Sequence, residues 1–533
     1  MGNLRTFFYS NSTIIILLIF LTFLIYTNIL PNQLFYDDEE LIYRNVYIQD
    51  LQFLPKYFTE NMIAGAGKIS NMYRPLLLTS FAIDYQIWKN NPFGFHLTSI
   101  ILHALNSLLI FFLIYLLFKD RLLAILSSVF FIIHPVQTEA ITYASGRTDP
   151  LYSFFTLLSL FLFLLIDKNI RLDTLGKKLP SYLYVGSLLF FILAILSKET
   201  AVILPLLLIA VSFIFKFKRD FKKNILWLSP FFIIDLIYIV LRLTVLNFSD
   251  TLNFYQAGNI YSSNLLVRLY TFCHVFFEYL GILIFPKDLI YSRDISYITN
   301  VLNPWTIAFL MIFTISLFLS VKNFPKNKLF LFSFCWFFII ILPVSGIIPI
   351  NTIISEHYLY LPSVSFFLVV SYVFSQLIKY PNKIIKSFSI VFLLFLITVF
   401  SIRTIVRNFD WKDAVTFYTI SIKQSPNNIP MRHNLAMTWA DKGKHEEAIK
   451  EYQNIITLSD TYPQTHHNLA NSYKAIGKHQ EAEKEYYQAL KMDPKFYFSY
   501  LGLADLYQKT QDKEKLEGII NILKKLNINR RSM

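Results

Sequence analysis

Ile402-Arg403-Thr404-Ile405-Val406-Arg407-Asn408-Phe409-Asp410-Trp411-Lys412-Asp413-Ala414 is the stretch across which the chain changes solvent. Before it, residues 13–406 form a succession of long apolar runs separated by short basic loops. After it, Trp411 to Met533 reads as a water-soluble helical sequence of fixed period. The first part calls for a bilayer and the second for a module that grips proteins. The expected fold is therefore all-α, a polytopic membrane helix bundle over 1–406 followed by a solenoid over 407–533.

Working C-terminally, Asn434-Leu435-Ala436 recurs as Asn468-Leu469-Ala470 and, less fully, as Gly502-Leu503-Ala504, each 34 residues on. That step is the length of the tetratricopeptide (TPR) repeat. Trp439, Tyr473 and Tyr507 share one aromatic position, Ala448 and Ala482 supply the small residue of the second helix, and Tyr452 and Tyr486 follow one turn later. Stepping back gives Ala414 and Tyr418. The sequence thus predicts a half repeat over 411–427 and three repeats over about 429–528, enough to bury a continuous core. Such aromatics are repeat core, and function is expected in the groove of the first helices, where Asn434 and Asn468, with His433, His466 and His467, can meet an extended polypeptide. Adjacent histidines without Cys or acidic spacing do not make a metal site.

Working N-terminally, 55% of residues are apolar and only 16% charged, at a mean hydropathy of +0.46. Water does not disperse such a chain. The net charge of +14 sits largely between apolar runs and reads as topology rather than as a nucleic-acid patch. Cys273 and Cys335 form neither a metal spacing nor a disulfide framework. Thr13 to Leu30, after Arg5 and without an obvious small-residue cleavage site, reads as a retained first span. Further candidate spans cover about 96–118, 122–133, 150–166, 182–197, 200–215, 224–243, 305–321, 329–343, 361–378 and 387–405.

Basic residues orient the set. Lys119 and Arg121, then Lys168, Arg171, Lys177 and Lys178, then Lys216, Lys218, Arg219, Lys222 and Lys223 fall in alternate loops, joined by Lys322, Lys326 and Lys328 and by Lys379, Lys383 and Lys386. These loops are expected on the cytoplasmic side. Consistency then requires the apolar segment at 267–285 to be re-entrant or interfacial, which leaves about eleven spans and places the C-terminal module outside the cytoplasm.

The opposite face collects polar motifs. A large loop over 31–95 carries Tyr36-Asp37-Asp38-Glu39-Glu40 and Tyr73-Arg74-Pro75. Further along come His134-Pro135-Val136-Gln137-Thr138-Glu139, Ser145-Gly146-Arg147-Thr148-Asp149, Ser197-Lys198-Glu199 and Glu356-His357-Tyr358. Charges at the ends of spans are costly and mark sites. A carboxylate there, Asp37 or Asp38, can deprotonate an acceptor hydroxyl or hold a divalent metal. Arg74, Arg147, Lys198 and His357 are candidates to hold the phosphate of a lipid-linked donor, with His134, Glu139, Glu199 and Glu356 behind them. Structural readings stand beside these. The acidic run also reads as a solvated loop, Lys198-Glu199 as an ion pair, His134-Pro135 as a helix stop, and Arg147 and Asp149 as partners of one another.

In order along the chain, the acidic pair, Tyr73-Arg74-Pro75, Pro92-Phe93-Gly94-Phe95-His96-Leu97, His103-Ala104-Leu105-Asn106, the His134 to Glu139 run, Gly146-Arg147, Ser197-Lys198-Glu199, Tyr358-Leu359-Tyr360-Leu361-Pro362-Ser363 and Arg407-Asn408-Phe409-Asp410-Trp411 resemble the transmembrane and TPR repeat-containing O-mannosyltransferases. That family is similar to the GT-C glycosyltransferases. The resemblance implies transfer of mannose or a related hexose, with inversion, from a polyprenyl or dolichyl phosphate to Ser or Thr hydroxyls of proteins at the non-cytoplasmic face. It also implies that Asp37 and Asp38 match the acidic motif that holds the base or a metal-associated carboxylate; a divalent metal is a possible cofactor. The partners implied are a lipid-linked sugar and an acceptor polypeptide held by the repeats, in a bacterial plasma membrane or the endoplasmic reticulum. Two other functions fit the residues: a lipid-carrier-dependent transferase acting on a glycan or lipid, and a non-catalytic membrane scaffold that presents repeats.

Overall fold

Without water to satisfy them, backbone amides inside a bilayer must bond within their own segment, and helices do so. The computed structural model describes residues 11–166, 179–215, 221–248, 260–291, 293, 295–324, 326–348 and 352–526, with 179–180 and 221–225 described by backbone alone. Among the described residues there are helices and no strands. The chain divides into two compact units, Met1–Lys412 and Asp413–Met533. The boundary lies six residues beyond the expected 406 (412 − 406 = 6), because Arg407 to Trp411 are built into the first unit.

The first unit contains α1 (Ser12–Tyr26), α2 (Pro75–Trp88), α3 (Pro92–Phe118), α4 (Arg121–Ile133), α5 (Thr148–Leu164), α6 (Leu179–Ser197), α7 (Leu204–Ile214), α8 (Phe221–Leu243), α9 (Leu265–Ile284), α10 (Pro304–Asn323), α11 (Lys328–Ile341), α12 (Ser363–Lys379) and α13 (Lys383–Phe409). Among the described residues six helical stretches are long and apolar enough to cross a membrane alone: 12–29, α3, 226–243, α9, α10 and α13. Asparagine starts many of the helices. Asn91, Asn264, Asn303, Asn327 and Asn382 each accept a backbone N–H of the first turn, satisfying a donor that lipid could not. α3 is mostly buried, whereas α10 and α13 keep most of their surface outward, which suits a lipid-facing rim around a central helix.

Contacts sort the helix ends into two sets. At one end Asp120 caps α4 and pairs with Lys379, Phe118 packs on Phe215 and Phe332, and Lys328 covers the Phe215 ring. This is the basic end. Of the residues that oriented it, Lys168, Arg171, Lys177, Lys178, Lys216, Lys218 and Arg219 lie outside the described residues, as do Arg5, which precedes the first span, and the side chains of Lys222 and Lys223. At the other end Asn408 Nδ2 donates to Ile25 O and Asn28 Oδ1, and its Oδ1 accepts from Thr142.

α9 belongs to this second end along its whole length. Arg268 near its start donates to Gly346 O just beyond α11, Phe276 packs on Phe309 of α10 and on Phe337 and Phe338 of α11, and Leu283 O at its close accepts from His134 at the end of α4. A helix of 20 residues is about 30 Å long, enough to cross. Instead its two ends meet the same end of the bundle. Its buried positions Val267, Thr271, Val275, Tyr279 and Ile282 recur every three or four residues on one face, the pattern of a helix lying across a surface.

In the second unit a lone helix, α14 (Ala414–Gln424), precedes three pairs: α15 (Ile429–Asp441) with α16 (His445–Leu458), α17 (Pro463–Ala475) with α18 (His479–Met492), and α19 (Tyr497–Thr510) with α20 (Lys513–Lys525). Trp411, assigned from sequence to the half repeat, belongs to the first unit; the end of the third repeat, 527–533, lies outside the described residues. Ala436 packs with Ala448 and Tyr452, and Ala470 with Ala482 and Tyr486, all buried. At the matching position of the third repeat stands Gly502, where a Cβ would lie 2.4 Å from the Tyr486 ring.

Candidate active site

The polar motifs meet at the second end of the bundle, where backbone breaks between helices expose carbonyls and amides. α4 stops at His134-Pro135, and the chain bends by 55° into a short helix, Thr138–Thr142. The next turn, Ser145 to Arg147, crosses so close to that helix that a Cβ on Gly146 would lie 2.6 Å from Glu139 O. Glycine is required there, and it brings Ser145 beneath the acidic pair.

The two aspartates occupy different environments. Asp38 is buried, at 1% exposure. Its Oδ1 accepts from the Ser145 N–H (2.8 Å) and the Ser145 hydroxyl, while Oδ2 accepts from the Phe35 N–H at 3.4 Å. Burial pushes its carboxyl up to about 7 against the lowering effect of those bonds. Asp37 is exposed; surrounding protein raises its carboxyl, Tyr143, Arg74 and His357 draw it down, and Glu40 raises it. Its N–H donates to the Tyr143 hydroxyl at 3.0 Å. Tyr36 just before it holds φ at +61°, a left-handed conformation unusual for an aromatic residue. The Tyr36 ring meets Tyr143 and Tyr291, and Tyr143 stacks on Trp411 with centroids 5.2 Å apart.

The cations expected to hold phosphate separate into two pairs of fates. Arg147 is wholly buried and pairs with Asp84 at 2.6 Å. Its guanidinium also donates to Phe95 O, Ser80 Oγ and Ser99 Oγ and lies over the Phe81 ring. Lys198, 4% exposed, pairs with both oxygens of Asp149 at 2.7 and 2.9 Å, between the Tyr152 and Tyr358 rings. Neither the Arg147–Asp149 nor the Lys198–Glu199 pair suggested by adjacency exists. Helix direction explains the exchange: Lys198 leaves α6 pointing into the bundle, while the next side chain, Glu199, turns outward and takes Arg74 in a bidentate pair at 2.7 and 3.2 Å. Arg74 and His357 are the expected cations that retain an opening, with side chains 13% and 25% exposed.

His357 is held by Glu139, whose carboxylate accepts from its backbone N–H at 3.1 Å and lies 2.7 Å from Nδ1. The Nδ1 proton so assigned leaves Nε2 without a proton, as an acceptor. Glu356 is buried, 3.6 Å from Arg407, and burial raises its carboxyl. Arg407 also pairs with Asp410 at 2.9 Å. His134 is buried, its Nδ1 accepts from the Val136 N–H, and Nε2 contacts Leu283 O. It follows the end of α4 and bonds the last turn of α9. Among the described residues no group of three or more His, Cys, Asp or Glu is arranged to hold a metal ion. In the repeats, Asn434 and Asn468 are half-buried, and Asn468 Nδ2 lies 3.3 Å from His433 Nε2, so its amide is engaged within the stack.

Sequence reading missed Asp84, Tyr143 and Tyr291. Asp84 lies mid-helix in α2 with no flanking motif, and Tyr143 falls between two quoted motifs; neither carries a signal until the chain folds.

A TPR repeat model matches residues 440–477, and a tetratricopeptide repeat model matches 463–496. A protein O-mannosyl-transferase of Caenorhabditis elegans is 26% identical over 84% of this chain and 63% of its own length. The human protein O-mannosyl-transferase TMTC3 is 25% identical over 71% of this chain and 44% of its own. The chain thus spans about half the length of these curated relatives. Among solved structures it is similar to the apo oligosaccharyltransferase of Archaeoglobus fulgidus (TM-score 0.45, 15% identity, 75% of this chain and 56% of that one). It is also similar to ArnT from Cupriavidus metallidurans bound to undecaprenyl phosphate (TM-score 0.43, 11% identity, 90% and 80%).

Proposed function

We propose that this chain is a membrane glycosyltransferase of the GT-C kind that moves a mannose-like hexose from a polyprenyl or dolichyl phosphate to Ser or Thr hydroxyls of proteins. The observation that carries the reading is the asymmetry of the acidic pair: Asp37 is open to solvent while Asp38 is buried and bonded to Ser145. The curated relatives that share most of this chain, named as protein O-mannosyl-transferases, support the same chemistry.

In this mechanism Asp37 takes the proton of the acceptor hydroxyl as that oxygen attacks the sugar carbon, and a raised carboxyl is better matched to the task near neutral pH. Asp38 acts through position, anchoring the turn. Departure of the lipid phosphate leaves charge on its oxygen. Arg74, by yielding part of its hold on Glu199, and His357, held by Glu139, are placed to meet it. Lys198–Asp149 and Arg147–Asp84 brace the helices behind. The basic loops support a cytoplasmic position for the other end of the bundle and an outer one for this end. The repeats then share the site's compartment, where the groove bearing Asn434 and Asn468 recruits acceptor polypeptide.

The test uses purified full chain with a panel of polyprenyl-phosphate sugars and two acceptors, a Ser/Thr-rich peptide and a free glycan. Transfer of hexose to the peptide, lost in Asp37→Asn, is expected. Transfer to the glycan alone would reassign the acceptor, and no transfer from any donor would defeat the enzyme reading.

A further inference from the structure

Tyr143 is not used by the mechanism above, yet it touches the proposed base directly. Its hydroxyl accepts the Asp37 N–H at 3.0 Å. Having spent a lone pair there, the phenol keeps its own proton to donate. The ring cannot swing away, being buried, stacked on Trp411 and edged by Tyr291. Two residues on, Ser145 holds Asp38 through its N–H and hydroxyl. The segment Tyr143 to Ser145 therefore grips both halves of the acidic pair, while Tyr36, in its left-handed conformation, is clasped between Tyr143 and Tyr291.

We infer that Tyr143 is a positioning residue for the proposed transfer: its hydroxyl fixes the Asp37 backbone and donates to the Asp37 carboxylate, setting the direction and basicity of the base. The inference rests on Asp37 being that base. The phenol stabilises the charged form of Asp37, as do Arg74 and His357, while Asp38 and Glu40 oppose it; Tyr36 and Tyr291 complete the titratable surroundings. Losing a hydrogen bond to a charged carboxylate raises its pKa.

The test is the pH dependence of hexose transfer from mannosyl polyprenyl phosphate to a Ser/Thr peptide by the full chain. In Tyr143→Phe, which keeps the ring and its stack, the acid limb of the rate profile is expected to move upward by about one pH unit. A rate that falls by one factor at every pH, complete inactivity included, would overturn the proposal. Trp411→Phe loosens the same cluster but keeps the hydroxyl, and its limb is expected to stay in place. An equal displacement there would trace the effect to packing and also overturn it. Asp37→Asn separates the two readings: retained transfer refutes Asp37 as base, whereas loss of transfer with an unmoved Tyr143→Phe limb refutes this inference alone.

Discussion

Arg147→Ala distinguishes a phosphate contact from a brace. The side chain is fully buried, its guanidinium 2.6 Å from Asp84, and Asp84 is otherwise held by the Thr98 hydroxyl at 2.7 Å. Truncation strands the Asp84 charge in a site 4% exposed and removes three further bonds, to Phe95 O, Ser80 and Ser99. Breaking one partner of such a pair costs about 3–5 kcal/mol, whereas removing both costs far less. The double variant Asp84→Ala with Arg147→Ala should therefore recover about 2 kcal/mol relative to the sum of the single variants. Unfolding free energies in mixed detergent micelles, measured for the four proteins of the cycle, give both numbers. A single-variant loss below about 1 kcal/mol, accompanied by weaker binding of a polyprenyl phosphate, would refute the brace and restore the phosphate role.

Asp38→Ala leaves the Ser145 N–H without its buried acceptor, so stability should fall by about 1–3 kcal/mol along with transfer. Asp37→Asn should instead leave unfolding within about 0.5 kcal/mol of the parent while lowering turnover by roughly 10²–10⁴-fold. In the repeats His466 lies between Glu485 at 2.6 Å and Asp460 at 2.7 Å, and these carboxylates raise its pKa against the opposing effect of burial. A raised folded pKa gives stability that is complete below the unfolded value of about 6.5 and lost as pH climbs through the folded one. Hydrogen-exchange protection of α17 in the full chain should accordingly decline above neutrality, and in His466→Asn that decline should vanish. Gln511 holds φ at +58° where the period places Gly443 and Gly477 in the two earlier repeats. Gln511→Gly should raise the stability of the last repeat by about 0.5–1 kcal/mol, read as slower exchange in α20.

Local periodicity made the repeats legible: a step of 34 residues between like positions is visible in the sequence because each repeat folds on its neighbours. The membrane part was legible wherever runs were apolar, and the parity of the basic loops marked α9 as unusual. Its course across one end of the bundle required contacts from Gly346 and His134, which no spacing reveals. The acidic pair was visible, but not which member reaches solvent, since that depends on Ser145, 107 residues from Asp38. Ion pairing was misread for a similar reason. Neighbours in sequence, Lys198 and Glu199, leave the end of a helix in different directions and find Asp149 and, across 125 residues, Arg74.

The central claim, that the polar cluster around Asp37 transfers hexose to hydroxyl groups of protein, is tested most directly by the intact mass of a Ser/Thr peptide after incubation with mannosyl polyprenyl phosphate and purified full chain. The account predicts a hexose increment on Ser or Thr with the parent protein, and none with Asp37→Asn at equal folded concentration. An increment of the same size from Asp37→Asn would contradict it.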